Sequence, residues 1–243
     1  MRTNRVFIDV KMICDQQLLL PEPQSHHLSK VLRAQPGQFV HLFNGAGGHY
    51  RAEITAVQKR SVAVIPREYI PGGSVAAFRI SLAQCISRGR HMDFTIQKAV
   101  ELGVASIIPL VSDHCRVNVS MERAANKLSH WRNIIISACE QCGRDILPGI
   151  MAPVAYEDWI ATVSNLLRLV LNPAATLTLT AITPRPQELT IISGPEGGLS
   201  EREITLATSH GCIAVRLGPR VLRTETAAIA ALSATQTLWG DMG

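Results

Sequence analysis

From Phe78 to the C-terminal end, the sequence alternates between short apolar runs and segments with helical signals. The apolar runs are strand candidates: Arg79–Cys85, Ser106–Val111, Leu166–Leu171, Leu189–Ser193 and Ala214–Leu217. The helix candidates are a segment capped by Asp93 and closed by Gly103, Met121–Cys142 capped by Ser120, Glu201–Ser209 and Glu225–Trp239. Such alternation is typical of a mostly parallel sheet with helices on both faces. The sequence therefore predicts an α/β fold for this part of the chain.

The first seventy or so residues follow a different pattern. Their strand candidates are Arg5–Val10, Gln38–Phe43, Tyr50–Val57 and Ser61–Pro66, with one short helix around His26–Arg33. The turn signals "QPGQ" and "NGAGG" separate them. Several short strands at this spacing indicate a small β-barrel module. With Ile70–Ser74 as a linker, we predict two domains, residues 1–72 and 73–243.

Composition excludes several classes of protein. The 243 residues are 47% hydrophobic and 18% charged, which is not the composition of a disordered chain. No apolar run is long enough to cross a bilayer, and "MRTNRVFIDV" has no signal-peptide core, so we expect a cytoplasmic protein without membrane contact. A net charge of +5 weakly favours a polyanionic partner.

The six cysteines do not indicate a disulfide framework or a metal site. Cys139 and Cys142 form a C-x-x-C pair, but zinc would need a second pair at ligand spacing. A redox pair normally opens a helix, where the helix dipole lowers the thiol pKa, whereas this pair ends one. We therefore expect no metal and no redox function.

One strand candidate leads into the glycine-rich loop of "IISGPEGGLSEREI", residues 191–204. Glycines at positions 194, 197 and 198 permit positive φ and allow a ligand to approach the backbone closely. Ser200 and Glu203 then form a capping box that begins a helix. The spacing matches neither a dinucleotide-binding loop nor a phosphate-binding Walker A loop. A tight turn without a ligand remains an alternative for this loop taken alone.

A second strand–loop–helix segment, "RLGPRVLRTETAAIAAL", occupies residues 216–232. We predict that Thr224 caps its helix and that Glu225 lies in the first turn, where the helix dipole favours an acid. Arg220 and Arg223 add charges that a structural turn does not require, although a solvated surface role is adequate for Arg220 alone. In parallel α/β sheets, ligands bind beyond the carboxyl ends of the strands, so both loops are expected to face one crevice.

The combination of "GPEGGLSEREI" with "LGPRVLRTETAA" resembles knotted methyltransferases of the SPOUT class. More narrowly, it is similar to the 16S ribosomal RNA (uracil-N3)-methyltransferase family, ribosomal small subunit methyltransferase E. Four further stretches carry the resemblance through nearly the whole chain: "HHLSKVLRAQPGQFVHLFNGAGG", "MDFTIQKAVELGV", "IIPLVSDHCRV" and "WRNIIISACEQCGR".

The resemblance implies a trefoil-knotted, mostly parallel sheet flanked by helices, preceded by a PUA-like β-barrel domain that binds RNA. It also implies a homodimer, 16S rRNA or the small ribosomal subunit as partner, and S-adenosylmethionine held by three loops. The implied cofactor-binding residues are Leu171, Asn172, Pro173, Gly194, Pro195, Glu196, Gly197, Gly198, Leu217, Gly218, Pro219, Leu222, Arg223 and Thr224. The apolar C-terminal helix fits a subunit interface or an internal core position equally well.

The implied reaction is methylation of N3 of a specific uridine in 16S rRNA. A nearby arginine would stabilise the uridinate anion, and Arg223 is our candidate. A carboxylate must accept the proton, and either Glu225 or Glu196 would serve. Because N3 lies on the pairing edge of the base, the uridine must be unpaired or flipped out. The candidate RNA contacts are Arg2, Arg5, Lys30, Arg33 and Arg144.

Two other functions remain open at this stage. One is methylation of a ribose 2′-hydroxyl by an enzyme of the same class, although the Asn-x-Gly-x-x-x-Arg motif common in such enzymes is missing after Phe78. The other is a non-catalytic RNA-binding factor in ribosome assembly. Binding of S-adenosylmethionine separates the second alternative from both enzymes.

Overall fold

The computed structural model describes residues 4–58, 60–72, 78–115 and 121–243, with only the backbone of residues 121–123. The predicted RNA contact Arg2 and the predicted cap Ser120 lie outside these residues, as does part of the predicted linker. The chain divides into two compact units, one of Met1–Val75 with Ile136–Leu147 and the other of Ala76–Ile135 with Pro148–Gly243.

The N-terminal unit contains a five-stranded sheet, which confirms the predicted β-rich module. Its strands are β1 (Arg5–Phe7), β2 (Leu18–Leu19), β3 (Phe39–Phe43), β4 (His49–Val57) and β5 (Val62–Ile70), in the order β1-β3-β4-β5-β2. Pairing is antiparallel except between β1 and β3. Helix α1 (Glu22–His26) continues into a π-helical turn, His27–Val31, and the buried Leu28 of this turn packs in the core of the unit.

Residues 136–147 are tied to β1 by specific bonds within this unit. The backbone N–H of Phe7 donates to Glu140, and the Arg5 guanidinium forms an ion pair with Asp145. His49 lies 3.2 Å from the second oxygen of Asp145. Burial raises the pKa of the Glu140 carboxyl, and the hydrogen bond from Phe7 opposes that shift. The N-terminal unit therefore includes residues far apart in the sequence.

The second unit contains an eight-stranded sheet in which every pairing is parallel. The strands are β6 (Arg79–Cys85), β7 (Ser106–Val111), β8 (Gly149–Ile150), β9 (Val154–Ala155), β10 (Leu167–Leu171), β11 (Leu177–Thr178), β12 (Glu188–Ser193) and β13 (Ile213–Arg216). Their order is β11-β13-β10-β12-β6-β7-β8, with β9 also paired to β7. The predicted parallel α/β sheet is confirmed.

Five helices accompany this sheet: α2 (Arg90–Glu101), α3 (Met121–Cys142), whose last residues belong to the N-terminal unit, α4 (Tyr156–Ile160), α5 (Glu201–Ser209) and α6 (Thr224–Trp239). The sheet is covered on one side by α4 and α5, whose buried Tyr156, Ile160 and Ala207 pack in one apolar cluster with strand residues such as Val170 and Ile192. Burying an aliphatic side chain of this size contributes about 1.5–3 kcal/mol to folding.

Two predicted helix caps are wrong, and in both cases tertiary contacts explain the difference. Helix α2 begins three residues before the expected cap, after Gly89 at φ 44°, and Asp93 instead lies in the first turn beside His130. Helix α6 begins at Thr224, so Arg223 occupies the cap position without a capping side-chain bond. The predicted ends at Gly103 and Gly143 are confirmed, because both glycines adopt positive φ after the helix.

The C-terminal chain crosses the sheet after its last strand. Strand β13 lies beyond β10, yet α6 packs on α2, β6 and β12. The connection between β13 and α6 therefore returns across the carboxyl ends of β10 and β12. This return crossing agrees with the trefoil knot that the resemblance implies. Within the described ranges, no helix is both long and apolar enough to span a membrane.

Candidate methyl-donor site

Three loops at the carboxyl edge of the sheet enclose a cavity of about 270 Å³. They follow β10, β12 and β13, which are neighbours in the parallel sheet and therefore end at the same edge. Twelve of the predicted cofactor-binding residues line the cavity: Leu171, Asn172, Pro173, Gly194, Pro195, Glu196, Gly197, Gly198, Leu217, Gly218, Leu222 and Thr224. Pro219 and Arg223, which were also predicted, do not line it.

The remaining lining residues make the cavity largely apolar. They are Ser193, Leu199, Ile204, Val215, Arg220, Val221 and Ala227. Among the lining residues that the structure describes, Glu196 and Arg220 carry the charged side chains. A cavity for a phosphorylated cofactor would normally offer more cations, whereas apolar side chains and exposed backbone suit a neutral or cationic ligand with flat rings.

Glycine is required at specific points of the loop after β12. A Cβ on Gly194 would approach the backbone of Gly198 and Leu199 to 3.1 and 3.0 Å, and one on Gly197 would lie 3.0 Å from His114. Gly198 adopts φ +71° with open space around it, so conformation and not crowding selects glycine there. The loop is therefore a close-packed backbone cradle that larger residues would obstruct.

The predicted capping box after this loop is confirmed. The hydroxyl of Ser200 accepts a bond from the backbone N–H of Glu203, and the Glu203 carboxylate accepts one from Ser200 N–H at 2.8 Å. The same carboxylate, in a residue that is 1% exposed, accepts a second backbone bond from the N–H of Asp113. Asp113 in turn contacts Ser200 and Arg202, and these two contacts, the Ser200 hydrogen bond first, lower its pKa.

Thr224 joins the two glycine-containing loops instead of capping α6. Its hydroxyl donates to the carbonyl of Gly194 at 2.6 Å and accepts a bond from the buried side-chain amide of Gln84. The amide of Gln84 also lies 3.3 Å from the Gly194 carbonyl, and its own oxygen has no partner among the described residues. The hydroxyl of Ser87 lies 3.3 Å from that of Thr224. Gln84, near the end of β6, therefore contacts both the loop after β12 and the loop after β13.

The three candidate catalytic side chains occupy different environments. The Glu196 carboxylate accepts a 2.8 Å bond from the backbone N–H of Arg88. Glu225 has a side chain 14% exposed and forms a 3.2 Å ion pair with His91 on α2. Arg223 is exposed, and no ion pair or side-chain hydrogen bond of this residue occurs within the described part of the chain. Its guanidinium is therefore free to meet a ligand.

Sequence reasoning missed Gln84, Ser87, His91 and His114, which hold the site residues in place. His114 lies 3.0 Å from the carbonyl of Gly198. Only Gln84 gave a signal, because a polar residue within the apolar run "RISLAQC" must find partners when buried. The other three form contacts that no local pattern predicts.

A larger cavity of about 670 Å³ lies at the opposite edge of the sheet. Its lining includes Arg79, Leu167, Glu188 and Ile213, which are the first residues of four parallel strands. Ligand sites in parallel α/β sheets lie at the carboxyl ends of strands. The position of the smaller cavity, and not the size of the larger one, therefore identifies the candidate site.

The predicted RNA contacts with described side chains all belong to the N-terminal unit. Lys30 and Arg33 are exposed and available to a ligand. Arg5 is engaged, since its guanidinium bonds to Asp145 and to the carbonyl of Arg144 and lies 5.0 Å from the ring centre of Phe43. Arg144 is partly buried.

Three of the cysteines, Cys85, Cys139 and Cys212, are buried. Burial raises the pKa of the Cys139 thiol to about 12, so the thiolate that redox and metal chemistry require is strongly disfavoured at neutral pH. Burial also raises the pKa values of Cys85 and Cys212. Within the described residues, no group of three or more histidine, cysteine or acidic side chains could hold a metal ion.

Comparison with known proteins places the chain among RNA-modifying enzymes. Residues 20–67 match the family described as RNA methyltransferase PUA domain, and residues 75–236 match the RNA methyltransferase domain. The ribosomal RNA small subunit methyltransferase E of Buchnera aphidicola (Schizaphis graminum) is 35% identical over 99% of this chain and 98% of its own length.

Two similar solved structures contain S-adenosylmethionine. A putative methyltransferase from Legionella pneumophila is 40% identical, with a TM-score of 0.95 over 99% of this chain and 100% of its own. The ribosomal RNA small subunit methyltransferase E of Neisseria gonorrhoeae is 36% identical, with a TM-score of 0.92 over 100% of both chains. Both likenesses extend over at least 99% of this chain.

Proposed function

Because this chain belongs to the ribosomal RNA small subunit methyltransferase E family, we propose that it methylates N3 of a specific uridine in the 16S rRNA of the small ribosomal subunit, using S-adenosylmethionine. The observation that carries the proposal is the cavity between the loops after β10, β12 and β13, at the carboxyl edge of a parallel sheet. The methyl-donor complexes of the Legionella and Neisseria proteins support the cofactor.

The residues of the cavity fit this cofactor. Gly194, Gly197 and Gly198 leave backbone groups open to a ligand, while Leu199 and Leu222 offer apolar surface for an adenine ring. Few charged side chains face the cavity, which suits a ligand without phosphates. When bound, S-adenosylmethionine supplies an electrophilic methyl group on a positively charged sulfur. In our proposal the three loops hold it and keep water away from that group.

Arg223 stabilises the anionic base in the proposed mechanism. N3 of uracil becomes nucleophilic only after it loses its imide proton, and a guanidinium beside the ring favours the anion. Arg223 precedes Thr224, which lines the cavity, and its side chain is exposed. Its position at the N-terminal end of α6 adds the positive end of the helix dipole to its own charge.

We propose Glu225, and not Glu196, as the proton acceptor. Glu196 already accepts the backbone N–H of Arg88, which fixes the loop and uses part of the capacity of the carboxylate. Glu225 is mostly buried and faces His91, whose side chain is 46% exposed. A proton taken from N3 by Glu225 can therefore pass to His91 and on to solvent. Glu196 then has a structural role in holding the cofactor loop.

Lys30 and Arg33 are the proposed phosphate contacts of the N-terminal unit, with Arg144 as a further contact. Their role is to bind the RNA backbone, which contributes affinity that falls with salt and carries no sequence preference. The engagement of Arg5 with Asp145 supports a structural role for that residue instead. We also propose a homodimer, as the resemblance implies, which sedimentation analysis of the purified protein tests directly.

The names and bound cofactors of the relatives support an rRNA methyltransferase over a non-catalytic factor, and the missing Asn-x-Gly-x-x-x-Arg motif favours base methylation over ribose methylation. A non-catalytic factor would not bind S-adenosylmethionine, so calorimetry of the purified protein separates it from an enzyme. Mass mapping of nucleosides in 16S rRNA from cells lacking this protein tests the rest. We expect loss of 3-methyluridine and its return on complementation, whereas loss of a 2′-O-methyl nucleoside would support the other enzyme, and unchanged 3-methyluridine would refute the proposal.

A further inference from the structure

A second cavity of about 300 Å³ lies within the same unit, beside the first. Its lining includes Ser87 and Gly89 from the segment before α2, Asp93 from α2, and Lys127, His130 and Trp131 from α3. The size is at the lower end of the range for small-ligand pockets, about 300–1,000 Å³.

The two cavities are adjacent, and one hydroxyl group from each lies at the place where they meet. Ser87 lines the second cavity, Thr224 lines the first, and their oxygens are 3.3 Å apart. In a methyl transfer the accepting atom must lie about 3–3.5 Å from the transferred carbon. An acceptor base therefore has to occupy space directly next to the donor cavity, which is where the second cavity lies.

The second cavity offers the groups that a uracil anion needs. Lys127 supplies a positive charge, and its Nζ is 5.6 Å from the ring centre of the buried Trp131. Hydrogen-bond donors are required for the two carbonyl oxygens that flank N3, because the negative charge of the uridinate spreads onto them. The ammonium group of Lys127 has three N–H donors and can supply such a bond.

The described charged side chains around this cavity leave Lys127 as the uncompensated cation. Asp93 and His130 lie 2.9 Å apart and form their own pair, and farther along the same edge Glu225 pairs with His91. No carboxylate of the described residues forms an ion pair with Lys127. Lys98 provides a contrast, because it lies 5.7 Å from Phe94 four residues earlier but is bound by Glu101 at 2.8 Å.

We propose that this second cavity is the pocket for the acceptor nucleobase, and that Lys127 binds a carbonyl oxygen of the uracil and stabilises its N3 anion. The inference rests on the proposed methylation of uridine. It adds two things to that proposal: the location of the acceptor base, and a second cation, Lys127 on α3, that acts together with Arg223. Ser87 and Thr224 then mark the place where the acceptor pocket and the donor cavity meet.

The test compares Lys127→Met with the matched control Lys98→Met, using small subunits from cells that lack the protein and tritiated S-adenosylmethionine. Loss of one charge-assisted hydrogen bond lowers kcat/KM about 10- to 100-fold in K127M. Because the cation lowers the pKa of N3, the rise of kcat with pH moves about one unit higher. K98M keeps wild-type kinetics, and Lys127→Arg restores much of the activity and the wild-type pH profile.

Cofactor affinity by calorimetry and thermal melting of each variant distinguish an acceptor defect from a damaged fold. Wild-type kinetics in K127M, or an equal loss in K127M and K127R with an unshifted pH profile, would overturn the inference. Failure of the wild-type protein itself to methylate the subunits would instead refute the proposed function. The two failures are therefore separate observations.

Discussion

The two glycine–proline loops of the donor cavity have similar sequences around their turns but are held very differently. The loop after β12 is fixed by the capping box, by Arg88 on Glu196 and by His114 on Gly198. The loop after β13 leads into a helix without a side-chain cap, and its Val221 is 83% exposed. The first loop is thus a fixed wall, while the second presents free side chains. This difference separates residues that shape the cavity from residues available for reaction.

Removing Arg223 gives the largest expected effect and tests the reactive side of this comparison. In Arg223→Ala we expect kcat for methylation to fall about 100- to 1,000-fold, because the uridinate loses its cation. Cofactor affinity and thermal stability stay close to wild type, since the side chain forms no described ion pair. Arg216→Ala, an exposed arginine at the end of β13, is the control. Full turnover in R223A would remove Arg223 from the mechanism.

Removing Glu203 breaks the fixed loop. Its carboxylate accepts backbone bonds from Ser200 and Asp113, and Glu203→Ala leaves those donors without partners in a buried place. We expect a loss of about 2–4 kcal/mol in unfolding free energy, measured by urea denaturation. Glu201→Ala, exposed in the same first turn, is the matched control. Equal stability of the two variants would show that the capping box does not hold the loop.

Removing the hydroxyl of Thr224 removes the hydrogen bond that links the loop after β13 to the loop after β12. Thr224→Val retains the shape but loses the bonds to Gly194 and Gln84, so we expect about 1–3 kcal/mol lower stability and weaker cofactor binding. Thr226→Val, exposed on the same helix, is the control, and calorimetry gives the affinity. If stability fell but cofactor affinity did not, the contacts of Thr224 with Gly194 and Gln84 would stabilise the fold without contributing to the cofactor site.

The contacts of Asp113 with Ser200 and Arg202 give the smallest expected effect, which changes of pH and salt test. Contacts with Ser200 and Arg202 lower the pKa of Asp113 in the folded state, so its contribution to stability is complete above its ordinary pKa and is lost as pH falls through the lowered value. Asp113→Asn should reduce the loss of stability that occurs as pH falls below the ordinary pKa of an aspartate. Asp158→Asn, at an exposed position, is the control. An identical dependence of stability on pH in both variants would contradict the proposed contribution of Asp113. Added salt should weaken the Arg202 contact of the wild type.

The sequence predicted the loops that line the cavity better than the side-chain contacts that join them. Gly194–Gly198 and Leu217–Thr224 were found because glycine and proline after an apolar run mark a loop at a strand end. The cap role of Thr224 was wrong, because the carbonyl of Gly194, thirty residues away, competes for its hydroxyl. The partnership of Glu225 with His91 depends on how α6 packs against α2, which no local pattern contains.

The short strands were beyond local prediction for another reason. Strands β8, β9 and β11 have two residues each, too few to display any periodicity. They exist because the neighbouring strands β7 and β13 offer free backbone groups at the two sides of the sheet. Their position is set by the partner strand and not by their own residues.

The ion pair of Arg5 with Asp145 has a consequence for biosynthesis. Phe7 and Arg5 need partners that are more than 130 residues downstream, so the ribosome must synthesise more than half of the chain before β1 can complete its contacts. Domains otherwise tend to fold in order of their emergence during translation. The polar contacts of β1 with Glu140 and Asp145 therefore form only after these later residues have been synthesised.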